Sequence, residues 1–341
     1  MFRAGWFGAL FRGLSGLLLA AACGCASNKP YQYGRFHPDH PEGVNVQPVV
    51  VEYGKPSKTL DRIGKVVGFP AKILPFNSKI NNHEVSPETL EKLRVYMAKN
   101  DITDVYIAVN QYAPKDQWRR LRENGRIAPF WKYTAGTLSW VGYALFPPRV
   151  WGGDRYNPFT NSLYVNSDVP AVVLAEAAYA KDIHGRKFPG TYAVVVNDMP
   201  VLTLWRQSLA VSDVLSYARV ENDWDVEKQT YHVMYPKMGE KTLGDASMVV
   251  TGPIGSISAI FVGPIFGAGG ALAGHAVGRS VAKRREAELK ELEPVPPTKP
   301  TATNNAIQLA GYEEDAPPVR PARGAKTPLG SRTVQTVDEE P

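Results

Sequence analysis

The sequence predicts an α+β fold, mostly helical with a small sheet. Two observations carry that expectation. Short runs rich in β-branched and aromatic residues, VVVEY at 49–53, DVYIAVNQY at 104–112 and SLYVN at 162–166, have the length and composition of strands. Longer stretches between and after them repeat apolar residues at helical spacing and carry recognisable starts and stops.

The first helix follows Ser86-Pro87-Glu88, where a serine N-cap, a proline at the first helical position and an early acid pre-organise the opening turn. Its run TLEKLRVYMAKN sets Leu90, Leu93 and Met97 on one face. The next helix, PKDQWRRLREN, stops at Gly125, and its four basic residues read as a solvated face. From Thr134 to Pro147 no charge occurs, and fourteen residues are too few to span a bilayer comfortably. This segment is expected as a buried or membrane-grazing helix ended by Pro147-Pro148. Tyr156-Asn157-Pro158-Phe159 is a turn signal before the strand SLYVN. A helix over 171–182 follows. TYAVVV suits helix or strand, and a long helix is expected from about Pro200 to Ala218.

Length and charge bound the function. A chain of 341 residues builds one large domain or two smaller ones without cross-links. Its formal charge is +6, but Arg3 and Arg12 fall at the start and residues 286–341 hold more acids than bases, so basicity belongs to the middle. Lys and Arg form no dense stripe interleaved with aromatics, which argues against nucleic acid as a partner. Anionic lipid head groups suit this charge better.

MFRAGWFGALFRGLSGLLLAAACGCASNKP reads as an export signal: an Arg-bearing start, an apolar run over 14–22, then small residues. Its end resembles a bacterial lipoprotein signal, in which the cysteine after a small-residue stretch is diacylated and becomes the mature N-terminus. Gly24-Cys25 offers the commoner junction and Cys23, after three alanines, the alternative. An ordinary cleaved signal or an uncleaved anchor is the plainer reading. Since these are the two cysteines of the chain, acylation at Cys25 leaves no thiol for a disulfide or a cysteine metal site. The expected organisation is a lipoprotein signal peptide over 1–25, a Pro- and His-rich tether over 26–48, a folded α+β body over 49–246, a glycine-rich apolar segment over 247–285 and a disordered tail over 286–341. His37 and His40 fall in the tether and are expected to be solvated.

The apolar segment admits two readings. Residues 247–278 contain no Asp, Glu, Lys or Arg, which by length makes a transmembrane candidate. Gly263, Gly267, Gly270, Gly274 and Gly278 recur every three or four residues and form a helix-packing face. Pro253 and Pro264 instead suit two shorter helices inside the body. His275 is the ionisable group of the run and is expected as a satisfied interior histidine.

One helix carries the candidate chemistry. AVVLAEAAYAKD, 171–182, holds one carboxylate within its apolar run, Glu176, beside Ala175 and Tyr179, the two positions at which a zinc-peptidase helix places histidines on one face. The stretch YNPFTNSLYVNSDVPAVVLAEAAYAKD resembles bacterial envelope proteins with a Tyr-Asn-Pro turn, a short strand and His-Glu-x-x-His-Ala-Lys-Asp on a helix, relatives of the gluzincin-type zinc metallopeptidases. The similarity extends over about 130–235. It implies a zincin-like body in which the first histidine falls on Ala175, the glutamate on Glu176 and the second histidine on Tyr179, with Ala177-Ala178 between. The family's third ligand, a glutamate on a later helix, falls on Gln207, and Asp213 is retained beyond it.

With the three ligands replaced, the resemblance implies a metal-free scaffold, no cofactor and no catalytic residue: neutral glutamine is a poor zinc ligand and alanine offers no donor. Without a metal Glu176 has no acidified water to act on. The same helix also suits an unrelated core, where Glu176 would be structural and partnered by a lysine or a tyrosine hydroxyl. No Gly-x-Ser-x-Gly and no phosphate-binding glycine loop occurs. His184 lies too far along the helix to share a metal with position 175, and His83 and His232 have no partners at ligand spacing. The expected function is therefore a non-enzymatic lipoprotein of the bacterial cell envelope, membrane-anchored through its lipid and, in the transmembrane reading, through 247–278, that binds an envelope protein or peptide. The alternative is a membrane-structural protein associating through its glycine zipper.

Overall fold

A computed structural model describes residues 31–34, 50–55, 62–63, 76–151, 153–198, 200–251 and 256–292, with the backbone alone at 149, 151, 198 and 200–201 and over 244–251 and 256–266. The contacts divide the chain into Met1–Leu292 and Glu293–Pro341, and the described residues all belong to the first unit. Cys23, Cys25 and the tail from 293 onward lie outside them.

The body is α+β and mostly helical, as the sequence predicts. Four strands, β1 (Val51–Tyr53), β2 (Tyr106–Val109), β3 (Arg155–Asn157) and β4 (Ser162–Val165), form one sheet in the order β1-β2-β4-β3. β1, β2 and β4 run parallel, with Ile107 opposite Val51 and Leu163; β3 returns antiparallel to β4, pairing Tyr156 with Leu163. Every residue of β2 and β4 is buried, because both faces of these inner strands are covered. The two-residue side-chain period sends Ile107, Val109, Leu163 and Val165 into the main core, while Tyr106, Ala108 and Tyr164 form a second cluster with Tyr143.

Helix α1 (Pro87–Lys99) begins as expected: Ser86 Oγ accepts from Thr89 N at 3.2 Å, and Leu90, Leu93 and Met97 are buried. Asp168 completes the cap by accepting from Ser86 N at 3.0 Å, Ser86 Oγ at 2.5 Å and Thr89 Oγ1 at 2.6 Å. Helices α2 (Pro114–Glu123) and α3 (Thr137–Leu145) cover the second face of the sheet, tied where Trp140 Nε1 donates to Pro114 O. The uncharged stretch over 134–147 is thus less buried than the interior reading expected. Tyr143 points inward, but Leu138, Leu145 and Phe146 are exposed, because the sheet face beneath is narrow enough for one turn of α3 to fill it.

Helix α4 (Pro170–His184) is the centre of the body. It is buried along most of its length, with an apolar run from Ala171 to Ala180 broken by Glu176, as a helix enclosed by its neighbours must be. α1 and the long α6 (Pro200–Val220) pack against it, and α5 (Pro189–Asp198) resolves TYAVVV as helix. The alanines at 175, 177, 178 and 180 let these neighbours approach closely. Beyond α6, α7 (Trp224–Gln229) passes through a wide π turn over Thr230–Met234 into α8 (Tyr235–Thr251), and α9 (Ser256–Leu292) folds back along it.

The glycine face of α9 is occupied from within the chain. A Cβ at Gly270 would lie 1.9 Å from Gly239 O, one at Gly274 2.4 Å from Tyr235 O and one at Gly278 2.1 Å from Tyr231 O, while Gly267 meets Glu240. Gly263 falls where the backbone alone is described. Glycine here lets two helix backbones touch. α9 runs through Pro264 as one helix, and Pro253 lies outside the described residues. Among the described residues no helix is long and apolar enough to cross a membrane.

Two boundaries shift. The expected tail begins as helix, since α9 continues over 286–292 with Glu286–Lys290 paired at 3.1 Å and Arg285–Glu288 at 3.1 Å on its surface. Of the expected tether, residues 31–34 are seated on the body: Tyr31 and Tyr33 pack against the core, and Tyr33 OH donates to Glu221 Oε1 at 2.6 Å. Two tyrosines supply the apolar area and hydroxyl partners that seat a polar segment.

Candidate functional site

The helix packing brings four of the five sequence-singled residues to one place. Ala175, Glu176 and Tyr179 of α4 and Gln207 of α6 line a single cavity of about 40 Å³, closed by Met234 at the end of the π turn and by Lys237 and Met238 of α8. Positions 175, 176 and 179 share a helix face because they lie within one turn. Gln207 reaches them because α6 packs along α4. Its neighbour Arg206 also lines the cavity.

Each side chain has a definite setting. Glu176 Oε2 accepts from Tyr156 N at 3.0 Å, which ties α4 to β3. The partner is therefore a backbone amide and not the lysine or tyrosine hydroxyl expected of a buried carboxylate, because the Tyr-Asn-Pro turn presents that amide to the helix. The Tyr179 hydroxyl accepts from Asn197 Nδ2 at 3.1 Å, and the Arg206 guanidinium lies 4.1 Å from the ring centroid. Burial pushes the Tyr179 phenol up to about 12 against the opposing pull of Arg206, so it is neutral at ordinary pH. Gln207 Oε1 is buried without a hydrogen-bond partner among the described residues.

Asp213 is elsewhere. Two turns beyond Gln207 on α6, it receives Lys181 Nζ at 2.7 Å on Oδ2 and the hydroxyls of Tyr96 and Tyr31 at 2.5 and 3.1 Å on Oδ1. The Ala-Lys-Asp that follows Tyr179 is thus structural in detail: Ala180 is buried, Lys181 holds Asp213, and Asp182 accepts from Arg186 and Tyr192, each at 2.5 Å. His184 is spent as well. Its Nδ1 lies 2.7 Å from Ala180 O and its Nε2 3.2 Å from Asp104 Oδ1, where His184 and Arg126 hold the aspartate well below the usual carboxylate range despite the upward push of burial. His83 Nδ1 lies 3.2 Å from Asn110 Oδ1.

The zinc that gluzincin-type peptidases hold does not fit these residues. Around the cavity stand one carboxylate, one neutral phenol and one amide, with the cations of Arg206 and Lys237 beside them. Zinc sites need three protein donors of imidazole, thiolate or carboxylate type, and two cations in the wall oppose a dication. Among the described residues no group of three or more His, Cys, Asp or Glu is placed to hold a metal.

Sequence reasoning missed Arg206, Lys237, Met234 and Asn197. Arg206 stands next to Gln207 in the chain, but the others come from helices whose placement on α4 has no local signal. No family model, curated protein or solved structure matches this chain.

Proposed function

We propose that this protein is a non-enzymatic, lipid-anchored component of a bacterial envelope, built on a zincin-like scaffold that has lost its metal, and that it binds a protein or peptide partner. The observation that carries the reading is the meeting at one cavity of Ala175, Glu176, Tyr179 and Gln207, the four positions onto which the metallopeptidase motif maps its two histidines, glutamate and distal ligand. The substituted side chains turn that space into a packed polar junction. At about 40 Å³ it has room for one or two waters and none for a peptide side chain.

The binding surface therefore lies outside the cavity. Phe130, Phe188 and Trp205 are exposed, and the chain joins them through Trp131, whose Nε1 donates to Thr191 Oγ1 at 2.8 Å, and Tyr192, whose ring lies 6.3 Å from Trp205. Arg186 sits over both Tyr192 and Trp205. Aromatic residues with an arginine among them are the composition of interface anchors. The glycine-zipper alternative is less supported, since Gly267 to Gly278 already face α8.

Two measurements test the reading. After incubation with zinc and dialysis the purified chain should carry no stoichiometric metal; one tightly held ion per chain, lost in Glu176→Gln or Gln207→Ala, overturns it. Peptides from an envelope-protein array should bind with a change in tryptophan fluorescence that Trp205→Ala removes. Binding unchanged in that variant moves the partner surface elsewhere.

A further inference from the structure

The second cavity, of about 320 Å³, is independent of the first and lies between Phe76–Asn77, the α7 and π-turn region, and α9. Four basic groups converge there: Lys228, His232, His275 and Arg279, with Asp225 as the carboxylate of the lining. The π turn makes this convergence, because its extra residue rotates His232 toward α9, where His275 and Arg279 are one turn apart. His275 is buried and its ring lies 4.8 Å from that of Phe76, inclined at 39°. Phe76 adopts this place with φ of 49°, a strained value for a bulky side chain.

The charge of the cavity is poorly compensated. Lys228 and Arg279 lie beyond salt-bridge distance of any carboxylate among the described residues. Glu286 feels Lys228, but its carboxylate is engaged by Lys290 at 3.1 Å. His232 registers the resulting potential: burial first, then the positive charges of Lys228, Arg279 and His275, hold it below the usual histidine range.

We infer that this cavity binds the phosphate group of a small phosphomonoester or of a phosphate-bearing lipid head group. Arg279 presents a planar fork to two phosphate oxygens, Lys228 a point charge, and the His232 imidazole a further N–H donor. Two fixed cations match the double charge of a phosphomonoester better than the single charge of a carboxylate. The volume stands at the lower end of small-ligand sites, about 300–1,000 Å³, which leaves space beside the phosphate for a small organic substituent against Phe76.

The test uses the full chain, with the imidazole proton resonances of His232 and His275 as readout. Glycerol 3-phosphate should shift both in a saturable way at submillimolar concentration and raise the apparent pKa of His232, while glycerol leaves them unmoved. Lys228→Gln with Arg279→Gln, both at exposed positions, should weaken binding at least about tenfold without changing thermal unfolding. Arg279→Lys should keep part of it, which guards against misfolding as the cause. Vesicles of phosphatidylcholine with and without phosphatidic acid separate the sources: equal or tighter engagement of phosphatidic acid vesicles assigns a head group, and binding of the soluble ester alone assigns a metabolite. No saturable shift with the ester or with phosphatidic acid vesicles, or binding equal in the double variant, overturns the inference.

Discussion

Lys181 Nζ lies 2.7 Å from Asp213 Oδ2, joining the central helix α4 to α6, and the other oxygen of Asp213 takes the hydroxyls of Tyr96 from α1 and Tyr31 from the N-terminal segment. One carboxylate thus fastens four parts of the chain. Burial and the Asp213 charge hold the Tyr31 and Tyr96 phenols far above their ordinary range, so both remain donors at any physiological pH.

Asp213→Ala should therefore destabilise the body by about 2 to 3 kcal/mol, less than a fully buried pair because Lys181 and Asp213 stay 17% and 24% exposed. Denaturant unfolding measures it. Lys181→Met with Asp213→Leu should recover part of the loss by removing both charges. A loss below about 0.5 kcal/mol in the single variant would show that the network merely decorates the packing.

The glycines of α9 should separate sharply by position. Gly270→Ala pushes a methyl to within 1.9 Å of Gly239 O and should cost about 3 kcal/mol or more. Gly269→Ala, one residue earlier with nothing within 4 Å, should be neutral or gain up to about 1 kcal/mol from helix propensity. Equal midpoints for the two variants would mean that α8 and α9 do not pack as described.

Acid should loosen the start of α1. Burial alone would raise the Asp168 carboxyl, but hydrogen bonds from Ser86 and Thr89 and the nearby Lys79 amine pull it down to about 2. Because its folded value is depressed, the stability it contributes is complete above the ordinary carboxylate range and is lost as pH falls from about 5 toward 2. Asp168→Asn should flatten the stability profile across that window, as followed by circular dichroism. Ser86→Ala should cost about 1 kcal/mol at neutral pH. An unchanged acid limb in Asp168→Asn would assign the loss to other carboxylates.

Restoring donors tests the proposed ancestry directly. Ala175→His, Tyr179→His and Gln207→Glu together should confer zinc uptake of one ion per chain, readable by cobalt substitution as a tetrahedral absorption band. Arg206→Ala in the same background should tighten it by removing a cation from the cavity wall. Failure of both variants to take up metal while folded would mean that the four positions share a cavity without sharing ligand geometry.

Much of this was legible in the chain. The cap Ser86-Pro87, the strand runs and the buried helix 171–182 are local patterns, set by propensity and side-chain period, and they appear where expected. Less legible were features decided by distant segments. Tyr31 and Tyr33 sit in a polar stretch with no apolar period, and their seating depends on Asp213 and Glu221, far along the sequence. The exposure of Leu138 and Leu145 depends on how narrow a sheet face α3 has to cover.

The sequence by itself determined the class of fold, the central helix with Glu176 in its apolar run, and the small-residue stripe of α9, because each follows from the order of side chains within a few turns. Only the tertiary structure decided what met them. It set Gln207 and Arg206 against Ala175 and Tyr179, gave the glycine stripe to α8, and gathered two imidazoles and two cations around one cavity. The physical reason is that packing between helices is fixed by long-range complementarity of shape and charge, which no local period encodes.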